Sequence, residues 1–129
     1  MKKDPKPTDS ELEILQILWQ NGENNVRFVN EKLNEKRTVG YTTTLKLLQI
    51  MTEKGLVQRE LDGKTHLYKS AIKENEIRQA LLDKLLDTAF GGSAMKLVVQ
   101  ALGNSKTSQE ELNQIKNLIK GMEEEDGNN

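Results

Sequence analysis

Apolar residues recur every three or four positions through most of this chain, and the period shortens to two in only one stretch. The spacing predicts a first helix from about Asp9 to Gln20, with Leu12, Leu15, Leu18 and Trp19 on one face. Thr8-Asp9-Ser10-Glu11 opens it in the order of a capping box, and Asn21-Gly22, both tolerant of the left-handed conformation, closes it. Val26, Val29 and Leu33 define a short second helix that starts at Asn24-Asn25, where an asparagine can cap, with Lys36 and Arg37 complementing its carbonyl end. Gly40 breaks the pattern. Thr42 then begins a third helix in which Leu45, Leu48 and Met51 turn inward before Lys54-Gly55.

Leu56 to Leu61 and Thr65 to Lys69 read as two strands around Asp62-Gly63-Lys64, an Asp-Gly hairpin turn. Past Ser70 the helical period returns. A helix from Lys73 to about Ala89 carries Ile77, Leu81, Leu82, Leu85 and Leu86 and stops at Gly91-Gly92. Ser93 caps Ala94 to Leu102, which is apolar on most sides through Met95, Leu97, Val98, Val99, Ala101 and Leu102 and is therefore expected to be buried; Gly103-Asn104 ends it. Ser108 to Glu111 forms a second capping box ahead of Leu112, Ile115, Leu118, Ile119 and Met122. Three short helices and a hairpin follow the order of a winged helix-turn-helix. The predicted fold is mainly α with a small β-hairpin wing: a winged-helix domain over residues 1–72, a helical dimerisation region over 73–122 and a disordered acidic tail over 123–129.

At 129 residues the chain has room for one ordinary domain, or for a small domain with a helical appendage that needs a partner to cover its apolar face. The net charge of -1 argues against a nucleic-acid ligand until the chain is divided after Ser70. Met1 to Ser70 then holds 12 Lys and Arg against 10 Asp and Glu, and the remainder holds 7 against 10. An acidic half masks a mildly basic one. With no cysteine, disulfides, thiolate metal sites and cysteine catalysis are excluded. Charges and prolines follow Met1-Lys2-Lys3 where a leader needs an apolar run, and no run approaches the roughly 20 apolar residues of a membrane span, so the expected location is cytoplasmic, away from the membrane.

One histidine, no cysteine and no glycine-rich phosphate loop leave catalysis without a nucleophile, a metal or a cofactor, and the expectation is a protein that is not an enzyme. His66 falls in a wing strand and reads as a surface residue. Nucleic-acid recognition has a better basis. In a helix-turn-helix the second helix of the pair lies in the major groove with its N-terminal residues at base edges. Tyr41, Thr42, Thr43, Thr44 and Lys46 suit that position: threonine can bond a phosphate or base edge and offer its methyl to thymine, and lysine can reach a guanine or a phosphate. The other reading of the threonines is an N-capping cluster. Arg59 and Lys64 on the hairpin, and Arg37 near the turn, would add phosphate contacts. Ile77, Leu81, Leu85, Leu97, Val98, Leu112, Ile115, Leu118 and Ile119 are the candidate dimer contacts. Double-stranded DNA and a second copy of the chain are the partners these features suggest; a winged helix that binds proteins without specific DNA binding is the alternative.

The strings Thr8-Asp9-Ser10-Glu11-Leu12-Glu13-Ile14-Leu15-Gln16-Ile17-Leu18-Trp19, Tyr41-Thr42-Thr43-Thr44-Leu45-Lys46-Leu47-Leu48, Glu53-Lys54-Gly55-Leu56-Val57 and Phe90-Gly91-Gly92-Ser93 together resemble the penicillinase-repressor family, the BlaI/MecI/CopY-type regulators, from about Thr8 to Met122. The resemblance implies a winged helix that binds a palindromic operator, C-terminal helices that intertwine into a homodimer, and repression of antibiotic-resistance or copper-handling genes. It places recognition contacts on Thr42, Thr43 and Lys46 and dimer contacts after Lys73. It also brings in a sensor protease, since in the beta-lactam systems repression is relieved by cleavage of an Asn-Phe bond, where this chain has Gln100-Ala101. The chain further departs from the family pattern in lacking the cysteine cluster of the copper-responsive branch and in carrying Ile50 where many members have arginine.

Overall fold

A computed structural model describes residues 6–103 and 107–127. Met1 to Pro5, the Asn104 half of the stop expected after Leu102, and the tail residues Asn128 and Asn129 lie outside the described residues. The order is α1 (Asp9–Asn21), α2 (Val26–Asn34), α3 (Tyr41–Lys54), β1 (Val57–Asp62), β2 (Thr65–Ser70), α4 (Glu74–Ala89), α5 (Ala94–Leu102) and α6 (Gln109–Gly127). The chain divides into two compact units, Met1–Gln79 and Ala80–Asn129. This boundary falls seven residues later than the one expected after residue 72, because Ile77 in the second turn of α4 is buried, only 3% exposed.

The first unit is built by local signals that agree with its packing. Thr8 caps α1 through its hydroxyl, which accepts from the Glu11 amide at 3.2 Å, while the Glu11 carboxylate accepts from the Thr8 amide at 2.8 Å. The Asn25 side chain caps α2 by accepting from the Phe28 amide at 2.8 Å. Gly55, at φ 82°, ends α3 in the left-handed region that favours glycine. Ile14, Leu15 and Leu18 of α1, Val26, Val29 and Leu33 of α2, Leu48 and Met51 of α3, and Leu56, Val57 and Tyr68 of the hairpin share one core.

The two strands pair antiparallel from Val57 opposite Ser70 to Asp62 opposite Thr65. Gly63 and Lys64 are therefore the two central turn residues, one position later than the Asp-Gly reading, and Gly63 adopts φ 64° at the first of them. Two sets of bonds fasten this wing. Asn24 and Tyr68 exchange backbone hydrogen bonds of 3.0 and 2.8 Å. The Trp19 indole N–H donates to Ser70 Oγ at 2.9 Å and to the Ile72 carbonyl at 3.2 Å.

The second unit differs in kind. Among its described residues no side chain is buried in the single chain. Met95 is 71% exposed, Val99 63% and Leu118 60%. The burial expected of α5 is thus not supplied within its own chain, since so few helices cannot enclose apolar residues that lie on most sides of one of them. Helix α6 runs on to Gly127, so Glu123 to Asp126 are helical where a disordered tail was expected; glutamate is a good helix former and no proline intervenes. Among the described residues, no helix is long and apolar enough to cross a membrane.

Glu11 is the most consequential buried polar group, at 2% exposure. Its Oε1 also accepts from Lys54 Nζ at 2.7 Å, which ties the start of α1 to the end of α3. Burial pushes the Glu11 carboxyl up, but the bonds from Lys54 and Thr8 outweigh it and hold the group below its ordinary value of 4.5. A carboxylate with a lowered pKa contributes stability that is complete above pH 4.5 and fades as pH falls through the lowered value. Replacing Lys54 by Met strands the buried carboxylate and is expected to cost about 2–3 kcal/mol in denaturant unfolding at pH 7. Glu11→Gln is expected to flatten the acid limb of the stability curve; a limb as steep as that of the parent chain would rule out this role.

Candidate nucleic-acid interface

On α3 the helical period separates an inward arc from an outward one. Thr44, Leu48 and Met51 are fully buried, each at 0% exposure. Thr42, Thr43, Lys46, Gln49, Ile50 and Glu53 lie on the opposite side and are exposed. Three of the expected contact residues, Thr42, Thr43 and Lys46, therefore share one accessible surface. Tyr41, 52% exposed, stands at its edge. Gln49 continues the surface one turn beyond Lys46 and was missed by the sequence reading, although its i+3 spacing from Lys46 carried the signal.

Thr44 belongs elsewhere. Its hydroxyl accepts from the Asn30 amide group at 2.9 Å and donates to the Gly40 carbonyl at 3.3 Å. The same Asn30 amide group donates to the Val39 carbonyl at 3.0 Å, and Asn34 both donates to that carbonyl at 2.8 Å and accepts from the Val39 amide at 3.1 Å. These bonds set the turn between α2 and α3. The expected DNA contact at Thr44 is corrected to a structural one, because a side chain spent on the α2–α3 junction cannot also reach a ligand.

The basic residues distribute over two separate places. Arg59 stands at the base of the wing, in a depression with Gln49, Thr52 and Glu53. Lys64, at the wing tip, lines a different cleft of about 410 Å³ with Arg27, Tyr41, Leu45, Thr65, His66 and Tyr68 beside the start of α2. Arg59 and Lys64, the two hairpin residues expected to add phosphate contacts, thus line different depressions, and Arg27 and His66 join Lys64. Arg37 is engaged with Glu13 at 2.7 Å, a bond that raises the pKa of its guanidinium and links the end of the α2 turn to α1.

Of the expected dimer contacts, Leu81, Leu85, Val98, Leu118 and Ile119 are exposed, and Leu97, Leu112 and Ile115 are half-buried. Ile77 is buried within its own chain and is corrected out of the set, since it has no area left to give a partner.

Two helices joined by a bonded turn, the second presenting a polar arc beside a hairpin, define a winged-helix protein. The family model described as penicillinase repressor matches residues 7–121. The chain belongs to the penicillinase-repressor family, whose members are transcriptional repressors rather than enzymes. It is 25% identical over 119 residues to the penicillinase repressor of Bacillus licheniformis, covering 92% of this chain and 93% of that protein. To the transcriptional regulator BlaI of Mycobacterium tuberculosis it is 27% identical over 122 residues, covering 93% and 87%. The solution structure of monomeric Bacillus licheniformis BlaI in complex with the blaP half-operator matches with a TM-score of 0.50 at 28% identity, over 59% of this chain and 93% of that one.

The reassignment of Thr44 has a direct consequence. Thr44→Val keeps the shape but removes the acceptor for Asn30, and is expected to lower stability by about 1–2 kcal/mol. Thr43→Val, on the exposed arc, is expected to change it by less than about 0.5 kcal/mol. Equal effects in chemical denaturation would place the two threonines in one role.

Proposed function

We propose that this chain is a DNA-binding transcriptional repressor that acts in the cytoplasm as a homodimer on a near-palindromic operator. The observation that carries the reading is the outward arc of α3, where Thr42, Thr43, Lys46 and Gln49 stand exposed opposite a fully buried inward arc. An α-helix of this kind fits the major groove, and these side chains suit base edges and phosphates. The solved complex of the Bacillus licheniformis relative with a half-operator supports carrying the same ligand class to this chain. The name of the curated relative, a penicillinase repressor, supports control of beta-lactam resistance genes as the regulated class.

The second unit supports the homodimer. A helical unit without a buried side chain among its described residues has its apolar area left over for a partner, and Leu81, Leu85, Leu97, Val98, Leu112, Ile115, Leu118 and Ile119 form the surface that a second copy would cover. Two-fold symmetry then presents two α3 helices about one turn of B-form duplex apart, roughly 34 Å, and requires a near-palindrome. Linking two modest half-site contacts gives an avidity that neither reaches alone.

Lys46→Ala is expected to weaken operator binding about five- to 100-fold in gel-shift titration while circular dichroism stays unchanged. Unaltered affinity would remove Lys46 from the interface, and failure of the parent chain to retain any genomic fragment would favour a protein-interaction module. Leu85→Asp is expected to separate the subunits and abolish operator binding together. An intact dimer in sedimentation would contradict the assignment of that surface.

A further inference from the structure

We infer that the cleft between the start of α2, the first turn of α3 and the wing tip is a receptor for one backbone phosphate of bound duplex DNA, with Arg27, Lys64 and His66 as its donors. The inference rests on the proposed DNA-binding function and names a subsite of it.

The lining of the cleft is Asn25, Val26, Arg27, Tyr41, Leu45, Lys64, Thr65, His66 and Tyr68, and no carboxylate is among these residues. In a chain where acidic residues outnumber basic ones, 20 to 19, a cleft with two fixed cations, an imidazole and the exposed phenol of Tyr41 is a local concentration of donors suited to an anion. Arg27 holds Glu31 at 3.4 Å, but the two side chains are 83% and 66% exposed, so that pair is weak and the guanidinium is free to exchange it for a phosphate. Asn25 already satisfies the Phe28 amide, so side chains rather than the helix terminus supply the recognition.

Position argues for a phosphate belonging to DNA rather than for a free anion. Tyr41 lines the cleft and is followed directly by Thr42 of the exposed arc, while Leu45 lines it and is followed by Lys46. A duplex whose major groove takes the arc must carry its sugar-phosphate edge past this flank, where contacts fix register without reading sequence. The cleft is therefore contiguous with the arc.

His66 gives the site a signature. A neutral imidazole has one N–H to donate and an imidazolium has two donors and a charge, so a bound phosphate favours the protonated form and binding takes up a proton. The other titratable groups that line the cleft are Arg27 from α2, Tyr41 from α3, Lys64 from the turn and Tyr68 from the same strand as His66; across the hairpin His66 pairs with the apolar Leu61. Histidine is the side chain whose charge ordinarily changes between pH 5 and 8.

The test uses the full chain and a duplex of random sequence, since a phosphate contact is indifferent to bases. In salt titrations at pH 5.5 Arg27→Gln and His66→Gln are each expected to reduce the slope of log K against log salt by less than about 0.9, since both serve one phosphate, and the affinity at 0.15 M salt by about fivefold. The parent chain is expected to bind more tightly at pH 5.5 than at pH 8, and His66→Gln to remove that difference. Parent-like slopes and pH dependence in both variants overturn the cleft assignment while leaving DNA binding in place. Failure of the parent chain to bind any duplex overturns the DNA-binding reading as well.

Discussion

Helix α3 is held by polar bonds at both ends of its buried face. Near its start the Thr44 hydroxyl takes a bond from Asn30 of α2, and at its last residue Lys54 donates to the buried Glu11 of α1. Ten residues, about 15 Å of helix, separate the two positions, with Leu48 and Met51 packed between them. Hydrophobic burial alone would let a short helix roll by some degrees about its axis, whereas directional bonds to two different helices fix its rotation. The outward arc follows from that constraint. Its residues are exposed because their neighbours on the inward arc are fully committed, and the pose of α3 beside the wing is secured again through Trp19, Ser70 and the Asn24–Tyr68 bridge.

The two units solve the problem of burial in different ways. The first collects helix and hairpin residues into a single core and leaves mainly polar groups outside. The second carries leucine, isoleucine and valine in comparable density but covers none of their side chains fully in one chain. Charge follows the same division, with the mildly basic half holding the arc and the cleft and the acidic half holding the apolar helices. The proposed homodimeric repressor needs this separation, because a surface that meets polyanionic DNA and one that meets another copy of the chain obey opposite rules of polarity.

The parts legible in the sequence were those set by neighbours along the chain. The capping box at Thr8 to Glu11, the cap at Asn25 and the stop at Gly55 depend on local spacing and stand where that spacing put them, and the two-period stretch is a hairpin, with its turn one position later. Thr44 was grouped with Thr42 and Thr43 by residue type, although it is in phase with Leu48 and Met51 at i+4 and i+7; phase, not composition, decides which arc a helical residue joins. Helix α5 was correctly read as apolar on most sides, but no pattern in a sequence says which chain supplies the cover. Arg27 and His66 are 39 positions apart, and only the return of the hairpin toward α2 brings them to one cleft. Ile77 and the turn at Gly63-Lys64 were likewise decided by packing and register.

The central claim is that two copies of α3, each fixed by its buried face, enter the major groove on one side of a duplex. Methylation protection of guanine N7 measures groove occupancy directly, with the full chain bound to a duplex that it has selected from genomic fragments. The account expects protected guanines in two clusters about 10 base pairs apart. A chain that stays bound while every guanine N7 remains open to methylation, or that protects one isolated cluster, would contradict it.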